Sequence, residues 1–421
     1  MTLQLPAMPT LAARTIAVDA PEDLLALIPD GGMAWVRRGD GMIAWGEVAR
    51  FDSRGSSRID DAATWWRRLT RHAVVRDDVH VRGSGLVAFG SFSFADASVH
   101  GGTLIVPRFI LGVREGRGFL TEISDDGAHG HAPNLASALG TTTPAAPLPR
   151  LTEEDGDRDA WNAAVESAVA RIRAGEVDKV VLARAVGAHA DSPVDPRSLM
   201  PYLAREYDGC WTFHVDGLVG ATPELLARVD HGLVTSRVLA GTIRRTGDAT
   251  ADLARAASLA HSSKDREEHA FAVRSVTQVL ASHCASVNVP DEPFVLHLPN
   301  VMHLATDITG SLDHAATVLE LVRELHPSAA VCGTPTLAAA RLIDSLEGLD
   351  RGRYAGPVGW IDGAGDGEWC IGLRSAEIDA DDPRQVRMFA GCGIVAASEP
   401  ASEWAESEAK LEPMRHALRL G

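Results

Sequence analysis

The stretch Asp178-Lys179-Val180-Val181-Leu182-Ala183-Arg184 reads as a buried β-strand that opens on a single amine. A short apolar run bounded by charge suits a strand better than a helix. The amine is a rare one. Of 40 basic residues, only Lys179, Lys264 and Lys410 are lysines. Lysine can lose its proton when desolvated, whereas arginine effectively cannot. Lys179 is therefore a candidate general base, and the plainer alternative is a strand-end side chain reaching out to solvent.

Upstream of this strand, Trp161, Val165, Val169 and Ile172 fall on one face of a helix that Gly175 ends. Before that helix, Thr141 to Arg150 carries three prolines and reads as a linker. Residues 1 to 145 show strand signals at Leu86–Gly90 and Leu104–Pro107 and a helix from Ala62 to His72. Met33–Arg37 and Met42–Trp45 flank an Arg-Gly-Asp-Gly turn and predict a hairpin. His129-Gly130-His131 has no third metal ligand near it and reads as a solvated loop.

Downstream, short strands are joined by short turns and helices come in blocks, from Cys210 to a last helix beginning near Ser402. This order predicts an α+β fold built on antiparallel sheet. Gly363-Ala364-Gly365-Asp366-Gly367 is followed by a strand rather than a helix, so it reads as a hairpin turn and not a phosphate cradle.

The chain has 421 residues, a net charge of −17 and 45% hydrophobic residues. That acidity argues against nucleic acid and anionic membrane as partners, and an anionic ligand would need local cations. There is no run of 18 apolar residues and no signal-peptide layout at the N-terminus. Five scattered cysteines without metal-type spacing suit a reducing cytoplasm.

Two acidic helix segments could carry chemistry. In Ser262-Ser263-Lys264-Asp265-Arg266-Glu267-Glu268-His269 a serine can cap the helix, and Asp265 and Glu268 share a face. In the segment Glu403 to Lys410, Glu403, Glu406 and Lys410 share a face while Trp404 and Leu411 belong to the apolar stripe. Carboxylates in a first turn are often only helix-stabilising. Two such helices meeting would also suit Mg²⁺, which takes one or two carboxylates and keeps waters. Glu224 follows Pro223 in a turn, where a partly desolvated carboxyl could donate a proton. Gly241 and Thr242 offer backbone N–H groups to an anion, and His303, Tyr354 and Arg374 lie in or beside strands.

From about residue 160 to 420 these motifs, in this order, resemble the chorismate-utilising enzymes: isochorismate, salicylate, anthranilate and aminodeoxychorismate synthases. The motifs are Lys179–Arg184, Gly220–Leu226, Leu239–Thr242, Ser263–His269, His303–Thr306, His326–Pro335, Asp350–Trp360, Gly391–Val395 and Glu403–Lys410. The resemblance implies two antiparallel-rich sheets flanked by helices, with residues 146–421 as the chorismate-binding core and 1–145 as a variable part packed into the same fold. It implies a Mg²⁺ held by Glu268 and Glu406, with Glu403 and Asp265 in support. Arg374, Tyr354 and the backbone at Gly391 would hold the enolpyruvyl carboxylate, and Gly241, Thr242 and His303 would line the ring site beside Lys410. Lys179 would act as base and Glu224 as acid. Burial is the physical means of favouring the lysine's neutral form.

Within that resemblance, a lysine at Lys179 marks members that add water. Ala240 stands where the aminodeoxychorismate enzymes carry a nucleophilic lysine. Ala330 stands where salicylate synthases tend to carry threonine, so the expected activity is isochorismate synthase, a hydroxymutase and thus an isomerase. Salicylate synthase is the runner-up. A chorismate-binding subunit of an amidotransferase assembly is a rival that would need neither Lys179 nor Glu224. The resemblance implies a monomer, with a dimer as the alternative, and a product that feeds menaquinone or a catechol siderophore.

Overall fold

The structure, a computed structural model, describes residues 9–127, 132–140, 143–313 and 316–420. His129 and His131, and residues 141 and 142 of the expected linker, lie outside the described residues.

Two large sheets form the body, one of 13 strands and one of 10, and the predicted α+β class holds. Every pairing among the described strands is antiparallel except that of Ala12–Val18 with Val74–Asp77. In the larger sheet Lys179–Ala190 lies beside Gln385–Ile394, followed by Ser375–Ile378, Leu218–Thr222 and Trp211–Val215. The sheet then continues into Met33–Arg37, so the N-terminal portion extends it by direct strand pairing. In the smaller sheet Val87–Phe92 pairs with Pro357–Asp362. The two portions thus share both sheets.

The expected hairpins appear, with Arg38 (φ 53°) and Gly39 (φ 80°) turning the first. The 363–366 turn joins Pro357–Asp362 to Gly367–Ile371 as read from the sequence. Strand lengths differ more. The Lys179 strand runs to Ala190, and the strand expected at Leu233–Leu239 extends to Arg244 through a bulge at Gly241. Val74–Asp77 carries no apolar alternation and is mostly exposed, so pattern reading passes over it; its pairing with Ala12–Val18 makes it a strand.

Side chains from the facing sheets fill the space between them, among them Trp35, Phe89, Phe92, Trp211, Phe213, Trp360 and Trp369, all buried. One carboxylate sits in this layer. Glu368 accepts hydrogen bonds from the indole N–H of Trp35 (2.7 Å) and Trp211 (2.9 Å), and Arg82 and Arg228 lie at 3.8 and 3.6 Å. Burial raises its pKa, but the arginines, Arg82 first, hold the carboxyl below its usual range. Both tryptophans belong to the larger sheet and Glu368 to the smaller, so this cluster joins the sheets. Removing one partner of a buried ion cluster leaves the others uncompensated. Glu368→Ala is expected to cost about 3–5 kcal/mol of unfolding free energy, measured by urea denaturation.

Candidate active site

At one end of the sandwich the sheets and two helices line a cavity whose empty space, its open mouth included, is about 720 Å³. Its wall includes Glu224, Gly241, Thr242, Glu268, His303, Ala330, Tyr354, Arg374, Gly391, Glu406 and Lys410. Three expected site residues, Lys179, Asp265 and Glu403, are not part of that wall. They lie directly behind it.

Lys179 is wholly buried, so the reading of a strand-end side chain reaching out to solvent is overturned. The short strand Gly333–Thr334 pairs with Lys179 and Val180 and closes that end. Its Nζ is 2.9 Å from Glu268 Oε1, yet the approach is off-axis and leaves the ammonium without a well-aligned hydrogen bond. Glu268 comes from the helix Ser263–His283, which Ser262 caps by accepting from the Asp265 N–H. Burial raises the Glu268 pKa, but Lys179, Lys410 and Lys264 together hold the carboxyl below its usual range. Gly393 makes this meeting possible: a Cβ there would lie 2.4 Å from Glu268 Oε1 and 3.0 Å from Lys179 Cε.

Glu224 sits where the chain leaves the larger sheet after Leu218–Thr222 and enters the smaller at Leu225–Asp230. Thr222 Oγ1 donates to Ile371 O, and the Ile371 N–H donates to Glu224 O, so the crossover is held at both ends. Burial pushes its carboxyl up to about 8, against the pull of Lys179, Lys410 and Arg374. At neutral pH Glu224 keeps its proton.

The helix Pro400–Ala417 lies against Gln385–Ile394 and presents Glu403, Glu406 and Lys410. Lys410 Nζ is 2.7 Å from Glu406 and donates to Gly391 O at 2.9 Å. Burial, with Glu406 adding repulsion, pushes Glu403 up to about 7. Glu403, Glu406 and Cys392 bring possible ligand atoms within 4.8 Å of one another. Burial holds the Cys392 thiol well above its ordinary value, and it donates to Glu403 O, so it stays a thiol. What remains are carboxylate oxygens, with Glu268 also on the cavity wall. That donor set fits a hard divalent cation such as Mg²⁺.

Arg374 is buried and has no carboxylate partner among the described residues. Its Nη2 lies 2.9 Å from His303 Nε2. Arginine can only donate, so that nitrogen accepts, and Nδ1 carries the proton towards Thr242 Oγ1 at 3.1 Å. Burial, with Arg374 beside it, holds His303 neutral. Tyr354 stacks on Phe389 with ring centroids 5.0 Å apart, and its hydroxyl lies over Gly391, where a Cβ would come within 3.2 Å.

Two residues of this end escaped the sequence reading. Glu347 accepts from the Ala183 N–H at 2.7 Å and from Arg351, which also donates to Val181 O and Val331 O. This buried pair fixes the Lys179 strand to the loop carrying Ala330. In sequence Glu347 is an ordinary last-turn glutamate. Gly393 gave a signal only as one of two glycines in Gly391–Val395.

Two outcomes test this geometry. A raised carboxyl pKa means that the unfolded state ionises from about 4.5 while the folded state holds its proton until about 8. Wild-type stability should therefore fall relative to Glu224→Gln between those pH values, as read from denaturation curves. Gly393→Ala should displace the Glu268 carboxylate and weaken divalent-cation binding by about tenfold or more, measured by calorimetry.

The family described as chorismate binding enzyme matches residues 35–419. The chain is 31% identical over 395 residues to the isochorismate synthase MenF of Bacillus subtilis (strain 168), covering 88% of this chain and 83% of that protein. It is 34% identical over 400 residues to the salicylate biosynthesis isochorismate synthase of Pseudomonas aeruginosa, covering 89% and 82%. Among solved structures, the menaquinone-specific isochorismate synthase MenF of Escherichia coli superposes with a TM-score of 0.80 at 29% identity, over 99% of this chain and 96% of that one. Anthranilate synthase component I of Streptococcus pneumoniae, at 18% identity over 100% of this chain and 94% of its own, shares the fold with a TM-score of 0.68.

Proposed function

The chain belongs to the family of chorismate-binding enzymes, and from that premise we propose that it is an isochorismate synthase, an isomerase that interconverts chorismate and isochorismate. The observation that carries the reading is a protonated carboxyl, Glu224, on the wall of one cavity with Glu268 and Glu406, and a buried amine, Lys179, in contact with Glu268 behind that wall. A protein that only bound chorismate would need neither proton carrier.

Chorismate is a dianion. Arg374, buried without an anionic partner, would take the enolpyruvyl carboxylate, with Tyr354 and the Gly391 backbone beside it. Glu268 and Glu406 would hold the Mg²⁺, with Glu403 and Asp265 behind them. When bound, that ion supplies positive charge to the ring carboxylate. Lys179 takes a proton from the water that attacks C2, and Glu224 gives one to the departing C4 hydroxyl. Gly241, Thr242 and neutral His303 line the ring, and Lys410 remains on Glu406.

Ala330, half-buried on the wall, favours release of isochorismate over pyruvate elimination. Relatives named for menaquinone and for salicylate biosynthesis both make isochorismate, so the reading ends at that product. No described helix is long and apolar enough to cross a membrane, and the five free cysteines suit a reducing cytoplasm.

Incubation with chorismate and Mg²⁺, resolved by HPLC, is expected to yield isochorismate alone, and none with EDTA. Salicylate with equimolar pyruvate would move the protein to the salicylate synthases. No turnover, even with ammonia, would make it a binding subunit. Lys179→Gln and Glu224→Gln should each lower kcat by about 10²–10⁴-fold.

A further inference from the structure

Each lysine of this chain sits on a different carboxylate of the same cage. Lys179 Nζ is 2.9 Å from Glu268, Lys410 Nζ is 2.7 Å from Glu406, and Lys264 Nζ is 3.9 Å from Glu403. The rest of the 40 Lys and Arg residues are arginines, and among the described residues no arginine pairs with these three carboxylates. The choice is chemically meaningful. An ammonium is a compact point charge on a flexible stem, able to stand where a metal cation would act and then swing aside, whereas a guanidinium locks into a planar fork.

The three lysines differ in freedom. Lys179 is wholly buried between Glu268 and Gly393. Lys410 is anchored a second time, on Gly391 O. Lys264, in the first turn of its helix, has a side chain 45% exposed, while its partner Glu403 is 5% exposed. Among the described residues its side chain makes no second ion pair, so it can leave the cage for water.

We propose that Lys264, at the rim, is the internal counter-ion of the carboxylate cage that a divalent cation displaces, and that it tunes how tightly that cation binds. The inference rests on the divalent-cation reading of the cage given above. It makes Lys264 a positioning residue for metal uptake, without contact to substrate.

Mn²⁺, which accepts the same oxygen ligands, is titrated into substrate-free, metal-free full-length protein and its free fraction is read by electron paramagnetic resonance. Lys264→Met is expected to bind Mn²⁺ about 2–5-fold more tightly than wild type, the range of a partly exposed pair. Lys264→Glu should bind more tightly still and Lys264→Arg less tightly than wild type, with the differences shrinking at high salt. A merely structural lysine would not give this charge order. Wild-type affinity or weaker binding in both Lys264→Met and Lys264→Glu would overturn the proposal. Glu406→Gln separates the two readings. If Glu406→Gln loses Mn²⁺ while the Lys264 variants match wild type, only the lysine role fails; if wild type takes up no Mn²⁺, the cation reading fails and the lysine role with it.

Discussion

The contact between Lys179 and Glu268 constrains much of what surrounds it. A buried charge pair is tolerated only where nearly every neighbouring position accommodates it. Gly393 must lack a side chain, Gly333–Thr334 must close the strand end, and the helix Ser263–His283 must start where Ser262 caps it. The pair therefore ties the larger sheet to a helix that packs on the smaller one.

Two other buried carboxylates show how environment assigns a role. Glu368 is matched on all sides by two indole N–H donors and nearby arginines, and it stays ionised as part of the core. Glu224 has no such partner at contact distance, is pushed up to about 8 by burial, and faces a cavity. The same chemical group stays ionised in the first place and keeps its proton in the second, because only the second was desolvated without compensation.

The overall charge of −17 sets a further demand. Under the proposed function an anionic substrate needs cations placed locally, and Arg374, buried with His303 as a neutral acceptor, would supply one. The crossover at Pro223, the bulge at Gly241 and the turn at Arg374 (φ 50°) are breaks in regular strand structure, and all three border the cavity. Regular strands cannot aim side chains along their own ends, so the site occupies the breaks.

Much of this was legible in the chain itself. The apolar run after Lys179, the paired acidic helices and the hairpin turns follow from local patterning, and the order of the motifs matched a known family over two thirds of the chain. Pattern could not show that Lys179 lies behind the cavity wall, because burial at a strand end depends on Gly333–Thr334, some 150 residues away in the chain. Nor could it show that Glu347 and Arg351 brace the Ala330 loop, or that each lysine meets its own carboxylate. The sequence alone determined which chemical groups are present and which local elements carry them. Tertiary structure decided which groups lose their water and which opposite charge each one meets, since desolvation and Coulomb contact depend on distances between residues far apart in the chain.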